Sequence, residues 1–472
     1  MVAITVLSTG NPLPMPIELD PPFDDYASNV YFEALEGMLV TVPDLKMVAG
    51  TNQYGEIAGV LEDLDIERVF QDDRAGTGEL IFADDAGGVR LDVKTGDLVK
   101  GLYGPLDYTY DEYKVLPPYH APQQPIVIRK GHDDPRIPRG RGRDGLSIAT
   151  YNMYNLFDNI NDTKKDDPIY SYWTMKRLLS KHANAIYNNL RLPDLIAVQE
   201  VEKLELLEAL ADTPPIPKDY YGAVLIDGPD TRGIDVGLLY RTDRVEILEY
   251  YARQTCTNLN DSYGPGVDPN YPCPPLTNPL FSRPPLVVHL KILDKNSDKW
   301  KGHHNHNDDD DRKPMDLWLI INHFKSKGVY PPYYADTTPR RLEQAAFVGS
   351  LVDEIQITDP DALVLVLGDL NDFENSAPLA TLEARGLRNL IYEVEKEDRY
   401  TYIYRGVSEV LDHMLVTPSM EDAVDDVIVI HFNPDFPYAE YRYEWDTGIW
   451  SSDHDVLMVS IELDELDDDH DD

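Results

Sequence analysis

From Leu146 onward, short and almost wholly apolar runs recur, and several end in a carboxylate, an amide or an imidazole where a turn residue would be expected. LSIATYN closes on Asn152, DLIAVQE on Glu200, DLWLIINH on His323, and ALVLVLGD on Asp369 with Asn371 two residues on. Asp235 and Asp412 open DVGLLYR and DHMLV, and Asp453 and His454 stand directly before DVLMVSIEL. Runs this short and this apolar are strands buried on both faces. Helical stretches, 171–189 and 339–356, fall between them. The pattern predicts an α/β domain whose strand ends converge on one edge, where ligands bind. Each polar residue alone has a plainer reading. Asn152 is a turn residue, Asp369 and Asn371 form an Asx turn, and His323 or His454 is a satisfied structural histidine. Their joint occurrence at strand ends is what resists a purely structural account.

Upstream the texture differs. Between residues 35 and 120, alternating segments such as GMLVTV, GEIAGV and VRLDVK are broken by Gly- and Asp-rich turns, which predicts a small β-barrel or sandwich. Residues 1–34 are read as an N-terminal extension and the Pro-, Gly- and Arg-rich stretch 121–145 as a linker. The large domain runs from 146 to 463, with insertions at about 253–275 and 300–313 and an acidic tail at 464–472. Two domains suit a chain of 472 residues, too long for one core. The tract holding His303, His304 and His306 is read as a solvated insertion rather than a metal site.

The formal net charge of −43 works against tight non-specific binding of nucleic acid. It does not exclude catalysis on phosphate, because a bound divalent cation brings its own positive charge. No apolar stretch approaches the roughly 20 residues needed to span a bilayer, so no membrane partner is expected. The first residues, MVAITVLSTG, lack the pattern of a signal peptide, so an exported protein would have its leader outside this numbering. Cys256 and Cys273, the two cysteines, lie in one Gly-, Pro- and Asn-rich segment. They are read as a disulfide stapling a loop in an oxidising compartment, with two free thiols as the alternative.

The segments ATYNMYNLFD, DLIAVQEVE, VGLLYR, INHFKSKG, LVLGDLND, LDHMLV and SSDHDVLMV, in this order, resemble the motif series of the endonuclease/exonuclease/phosphatase superfamily over about Leu146–Leu463. The YNxxNLFD start and the NHFKSKG form are most similar to bacterial extracellular nucleases, which carry a preceding barrel of the oligonucleotide/oligosaccharide-binding (OB) type. EGMLVTV and GDLVKGLYGPLDYTYDEYKVLP look like the first and last strands of such a barrel. The resemblance implies a four-layer α/β (α+β) sandwich, two packed mixed sheets flanked by helices, behind a small all-β OB-like domain.

It also implies a function: a metal-dependent phosphodiesterase, an extracellular nuclease acting on DNA or on RNA, with no obligate protein partner evident. A phosphatase or another phosphoesterase on the same scaffold is the alternative. Asn152, Glu200 and Asp453 are expected to hold Mg2+, with Mn2+ or Ca2+ as alternatives, since hard cations take oxygen ligands. By the same resemblance Asp369 activates water, Asn371 donates to phosphate oxygens, His454 contacts the scissile phosphate with Asp412 orienting it, and His323 is the second histidine with Asp235 holding it. Lys325 and Arg232 are candidate phosphate contacts. The aromatic stretch YTYIYRG is either a stacking face or core.

Overall fold

The computed structural model describes residues 12–120, 124–131, 145–259, 268, 271–293, 315–327 and 336–463. It divides into two compact units, one of Met1–Asp133 with Tyr404–Val407 and Asp435–Ala439, the other holding the rest of the chain from Asp134. The His303–Arg312 tract and the acidic tail lie outside the described residues.

In the first unit five strands close on themselves: Leu39–Met47, Ile57–Leu61, Ile81–Ala83, Leu98–Thr109 and Glu112–Val115. The first pairs with the second and the second with the third, the third runs parallel to the fifth, the fifth pairs with the fourth, and the fourth returns to the first. This is the connectivity of an OB-like barrel, and closure leaves few free sheet edges. Alternation drives it: Val40 and Val42 enter the core while Leu39 and Thr41 stay partly exposed. Two stretches are more structured than the sequence suggested. Inside the segment read as a linker, the β-branched run Ile126–Ile128 pairs with Leu98–Lys100. Inside the segment read as an extension, Asp24 caps a helix, Asp25–Glu33, by accepting from the Ala27 N–H at 2.8 Å, and the helix delivers Phe32 to the barrel core.

The second unit carries twelve strands in two six-stranded sheets. In chain order they are β1 (Gly145–Leu156), β2 (Leu195–Val201), β3 (Tyr221–Leu225), β4 (Asp235–Arg241), β5 (Val245–Ala252), β6 (Leu286–Ile292), β7 (Met315–His323), β8 (Val364–Asp369), β9 (Arg388–Asn389), β10 (Asp412–Val416), β11 (Val424–Ile430) and β12 (Val456–Glu462). One sheet has the order β3-β4-β2-β1-β12-β11, the other β5-β6-β7-β8-β10-β9. Parallel pairs β1–β2 and β7–β8 sit at their centres among antiparallel neighbours. The helices are α1 (Tyr172–Asn184), α2 (Leu204–Ala211), α3 (Thr338–Thr358) and α4 (Ala377–Glu383).

Away from the bulges, period-two alternation assigns the strand residues to layers. Leu146, Ile148, Leu195, Ala197, Leu317, Leu319, Leu365, Leu367, Met414 and Leu457 form the core between the sheets. Their alternates Ala149, Tyr151, Ile196 and Val198 pack beneath α1 and α2, and Ile320, Val364, Val366 and Leu415 beneath α3 and α4. The result is a four-layer α/β/β/α sandwich, as the motif order implies.

Candidate active site

The same alternation aims the polar strand ends. On β7, Leu317, Leu319 and Ile321 face the opposite sheet, so His323 faces it too. On β8 the series Leu365, Leu367 continues to Asp369, and on β10 Met414 and Val416 share a face with Asp412, leaving His413 on the other. Asn152 follows Leu146 and Ile148 along β1.

Glu200 breaks the rule. Counted from Leu195 and Ala197 it belongs on the helix side, but the pairing of β2 slips between Gln199 and Val201. Glu200 itself adopts a left-handed φ of 61°. A bulge of this kind re-aims one side chain, and glycine would adopt it more cheaply. The strain is repaid by delivering a carboxylate to the strand ends. Asn371 (φ 51°), Tyr154 (φ 49°) and Asn155 (φ 56°) share this conformation, and such clustering of strained residues marks functional sites.

Gly368 makes the central pairing possible. Its φ is +131°, and a β-carbon there would lie 2.1 Å from the Asn322 carbonyl oxygen. With hydrogen in its place, β7 and β8 run close enough to set His323 opposite Asp369, and β10 sets Asp412 on the other flank of Asp369.

The contacts converge on Asp369. Its Oδ2 lies 3.4 Å from His323 Nε2 and 4.0 Å from His454 Nε2, and accepts from Asn152 Nδ2 at 3.1 Å. Its Oδ1 accepts from the Asn371 N–H at 2.9 Å. Asn371 therefore sits past the strand end in an Asx-type turn with Asp369, the plainer reading of LVLGDLND, and its side chain donates to the Phe324 carbonyl at 3.2 Å. His454 Nδ1–H donates to Asp412 Oδ2 at 2.7 Å, and its ring lies 4.9 Å from that of Tyr402. Glu200 accepts from the Asn155 N–H at 2.8 Å, with its other oxygen 3.9 Å from His323 Nε2. Ser452 donates from Oγ to the Asn152 carbonyl at 2.7 Å and accepts from the His454 N–H at 3.1 Å, tying the SSDH loop to β1.

The electrostatics follow from burial and crowding. Burial, then the charges of Asp412 and Glu200, pushes Asp369 up to about 7 against the pull of His454. Burial and Glu200 push Asp453 up to about 6. Burial alone would lower His454, but Asp412, Asp369 and Asp453 outweigh it and hold the imidazole well above its ordinary range. His323 is held well below, first by burial and then by Arg283, Arg232 and Lys325 among the nearby cations. Glu200 thus acts on both Asp369 and Asp453, and carboxylates gathered in this way are the donor chemistry of a hard divalent cation.

Not every expected contact is made. Asp235 does not hydrogen-bond His323: its Oδ1 accepts from the Gly228 N–H at 2.9 Å, while Asp235 Oδ2 and His323 Nδ1 are both buried and, among the described residues, without hydrogen-bond partners. Asp235 opens β4 next to the bulge, and the irregular pairing there turns its carboxylate to the Gly228 loop. Arg232 is exposed and donates to Asn155 Oδ1 at 3.1 Å. Lys325 is partly buried and donates from its backbone N–H to Gln344 at 3.0 Å. In the aromatic stretch, Tyr400 is core, stacked on His431 with centroids 3.9 Å apart, and only Tyr402 reaches the site.

Two supporting arginines escaped the sequence reading. Arg283 is buried, donates to Asp230 Oδ2 at 3.0 Å and to the Phe324 carbonyl at 2.8 Å, and is the first charge acting on His323. Arg341, in the first turn of α3, donates to Asp372 Oδ2 at 2.7 Å and so braces the turn after Asp369. The signal for Arg283 was a cation set directly before the apolar run PPLVVHL. Arg341 had none, since the start TPRRLEQ carries two adjacent arginines and nothing in it shows which neighbours they meet. Cys256 and Cys273 are joined in a disulfide.

A family model described as the endonuclease/exonuclease/phosphatase family matches residues 147–264 and 291–430, more than half of the chain. The chain belongs to the endonuclease/exonuclease/phosphatase family. It is accordingly a hydrolase of phosphoester bonds, in a family that generally uses divalent metals. A model for a domain of unknown function matches residues 18–125. Among solved structures, the chain is similar to an endonuclease/exonuclease/phosphatase protein of Bacteroides vulgatus (16% identity, TM-score 0.42, covering 68% of this chain and 99% of that one). It is also similar to a mannosyl-6-phosphatase of Bacteroides thetaiotaomicron (17%, 0.39, 66% and 98%). A third is D. rerio TDP2 complexed with a single-stranded DNA product (17%, 0.39, 67% and 98%). No curated protein matches the chain. Among the described residues, no helix is long and apolar enough to cross a membrane.

Proposed function

We propose that this protein is an exported, Mg2+-dependent nuclease that hydrolyses phosphodiester bonds of nucleic acid. The observation that most supports it is the approach of two imidazoles, His323 and His454, to the one carboxylate of Asp369, beside Glu200 and Asp453. Glu200 with Asn152 and Asp453 would hold the cation, Mg2+ first and Mn2+ or Ca2+ as alternatives. When bound, it supplies positive charge for the phosphoryl oxygens and the leaving alkoxide.

The chain's own groups do the rest. Asp369, its proton affinity raised by burial, orients the attacking water and takes its proton as the new P–O bond forms and the scissile one breaks. His454 is kept charged by Asp412 and presents Nε2–H to a phosphate oxygen, stabilising the charge of the transition state. Asn371, fixed by its turn, presents an amide to the same group, and His323 faces it from β7. Arg232 and Lys325 are the candidate contacts for the flanking phosphates. Asp235 is kept as a candidate for holding His323 once substrate is bound, because both carry an unpartnered buried atom.

The disulfide and the OB-like barrel support the exported nuclease over a phosphomonoesterase. The net charge of −43 favours cation-bridged, salt-tolerant capture of DNA or RNA over a basic groove. The test is hydrolysis of plasmid, linear DNA, RNA and bis-p-nitrophenyl phosphate with Mg2+ or EDTA. Nicking that stops with EDTA is expected. Cleavage of phosphomonoesters with plasmid left intact would replace the nuclease reading with the phosphatase one.

A further inference from the structure

Four aromatic rings of the hydrolase unit stand exposed in one place: Tyr172 at 50%, Trp173 at 68%, Tyr443 at 58% and Trp445 at 41%. The helical period sets the first two outward. Helix α1 buries Leu178, Leu179, His182 and Ala183, so Tyr172, Trp173, Lys176 and Ser180 fall on its other face. The loop carrying Tyr443 and Trp445 is fastened to that face. The Trp445 carbonyl accepts from Ser180 Oγ at 2.8 Å and from Asn184 Nδ2 at 3.2 Å, and Lys181 Nζ donates to the Tyr441 carbonyl at 2.9 Å. Trp173 meets Trp445 edge to face with centroids 6.4 Å apart, and Tyr172 lies 5.4 Å from Trp173. A contiguous group of exposed rings, held in place by hydrogen bonds behind it, marks a surface that a ligand covers.

Three cations are set among the rings. Lys176 Nζ lies 5.9 Å from the centroid of Tyr172, Arg177 Cζ 4.9 Å from that of Tyr443, and Arg442 Cζ 5.5 Å from that of Tyr154. Their side chains make no ion pair or hydrogen bond among the described residues, and Arg177 Nε and Arg442 Nη1 are buried without an acceptor. Arg442 is only 6% exposed. The chain holds 85 acidic residues against 42 basic ones, and Glu444 and Asp446 stand in the same loop, yet none of the three cations is paired. Unpaired positive charge gathered on aromatic faces is the complement of an anionic ligand with flat groups. The patch is continuous with the active site at two points. Tyr170, two residues before Tyr172, donates from its hydroxyl to the Asn155 carbonyl at 3.3 Å. Trp450, directly before the SSDH loop, packs edge-on to Tyr154 at 6.0 Å, and the Tyr154 N–H donates to Asn152 Oδ1 at 3.0 Å.

We propose that this patch binds a single strand of nucleic acid leading into the active site, with bases stacked on Trp173, Trp445 and Tyr443 and phosphates against Lys176, Arg177 and Arg442. The inference rests on the nuclease reading and names the form of substrate it takes. Rings alternating with cations match the alternation of base and phosphate along a strand, and a base must be unpaired to lay its face on a side chain. Stacking of this kind accepts any base, so the patch confers preference for single strands rather than for a sequence.

The experiment compares the full-length wild type with Trp173→Ala/Trp445→Ala in Mg2+-supported hydrolysis of an oligothymidylate, of its duplex with oligoadenylate and of bis-p-nitrophenyl phosphate, which is too short to reach the patch. The kcat/KM of the variant for the single strand should fall at least about tenfold further than that for bis-p-nitrophenyl phosphate, through KM, and the preference for single strand over duplex should shrink with it. Lys176→Gln/Arg177→Gln should flatten the dependence of the single-strand KM on salt. A folded aromatic variant that cleaves the single strand as well as wild type does would overturn this proposal and leave the nuclease reading standing. A wild type that cleaves bis-p-nitrophenyl phosphate but neither oligonucleotide would overturn the nuclease reading itself. Self-association in sedimentation that the aromatic variant abolishes, with its single-strand KM unchanged, would make the patch a protein interface and refute the proposal.

Discussion

Replacing Asp412 by asparagine tests whether the pair His454–Asp412 does the work assigned to it. Asp412 is fully buried, and its Oδ2 receives the His454 Nδ1–H at 2.7 Å. Asparagine has the same shape, so the β10 backbone and its pairing with β8 have no cause to move, but the negative charge beside the imidazole is lost. A hydrogen bond to a charged partner is worth about 2 to 3 kcal/mol. If that energy is expressed in the transition state, kcat falls roughly 30- to 160-fold at about 1.36 kcal/mol per decade. The amide can also turn its NH2 to Nδ1, which leaves a neutral imidazole with its proton on Nε2, so the Nε2–H donor survives and what is lost is the positive charge. The assay is initial-rate hydrolysis of bis-p-nitrophenyl phosphate at saturating Mg2+, with far-ultraviolet circular dichroism and melting to show that the variant is folded. A folded Asp412→Asn protein with kcat within about threefold of wild type would refute the role given to this pair.

Three further outcomes follow from other parts of the structure. Gly368→Ala forces a β-carbon to 2.1 Å from the Asn322 carbonyl at φ +131°, and overpacking plus backbone strain should destabilise by about 3 kcal/mol or more, read by urea unfolding. An unchanged midpoint would mean that β7 and β8 are not locked together there. The bond between Cys256 and Cys273 spans a sequence separation of 17, for which chain entropy gives about 3 kcal/mol. The double variant C256S/C273S should lose up to that much stability yet keep its hydrolytic rate, and full stability would show that the loop is held by its other contacts. His413 is buried, donating from Nε2 to the Asp372 carbonyl at 2.9 Å and accepting at Nδ1 from Asn389 at 3.1 Å, and burial lowers it to about 4. Because the unfolded chain binds this proton near pH 6.5 and the folded one does not, its contribution is complete above pH 6.5 and is lost as pH falls towards 4. The loss at pH 5 is about 2 kcal/mol. His413→Gln should remove that part of the slope in urea midpoints measured between pH 7.5 and 5, and an identical slope would refute it.

Local pattern by itself determined an α/β domain with polar strand ends along one edge, while the four layers and the residue roles were what the family resemblance implied. Apolar runs with a period of two leave only one face for a polar residue at the end of a strand, so His323, Asp369, Asp412 and Asn152 were legible as strand ends sharing an edge. The alternating segments before residue 120 announced a small all-β unit, barrel or sandwich, because alternation serves both; closure into a barrel was what the resemblance implied. What local pattern missed depends on partners far along the chain. Glu200 reaches the site through a bulge and a left-handed backbone, which counting along β2 cannot foresee. Asp235 bonds the Gly228 amide in place of His323, and Arg283 and Arg341 act through carbonyl and carboxylate groups on other elements. The same is true of Glu79, whose burial and lack of hydrogen-bond partners among the described residues are visible only in the folded chain. A sequence records which groups can accept or donate; whether a buried one finds its partner is settled by packing, and here that decided which acids hydrogen-bond a histidine, which crowd together and which remain alone.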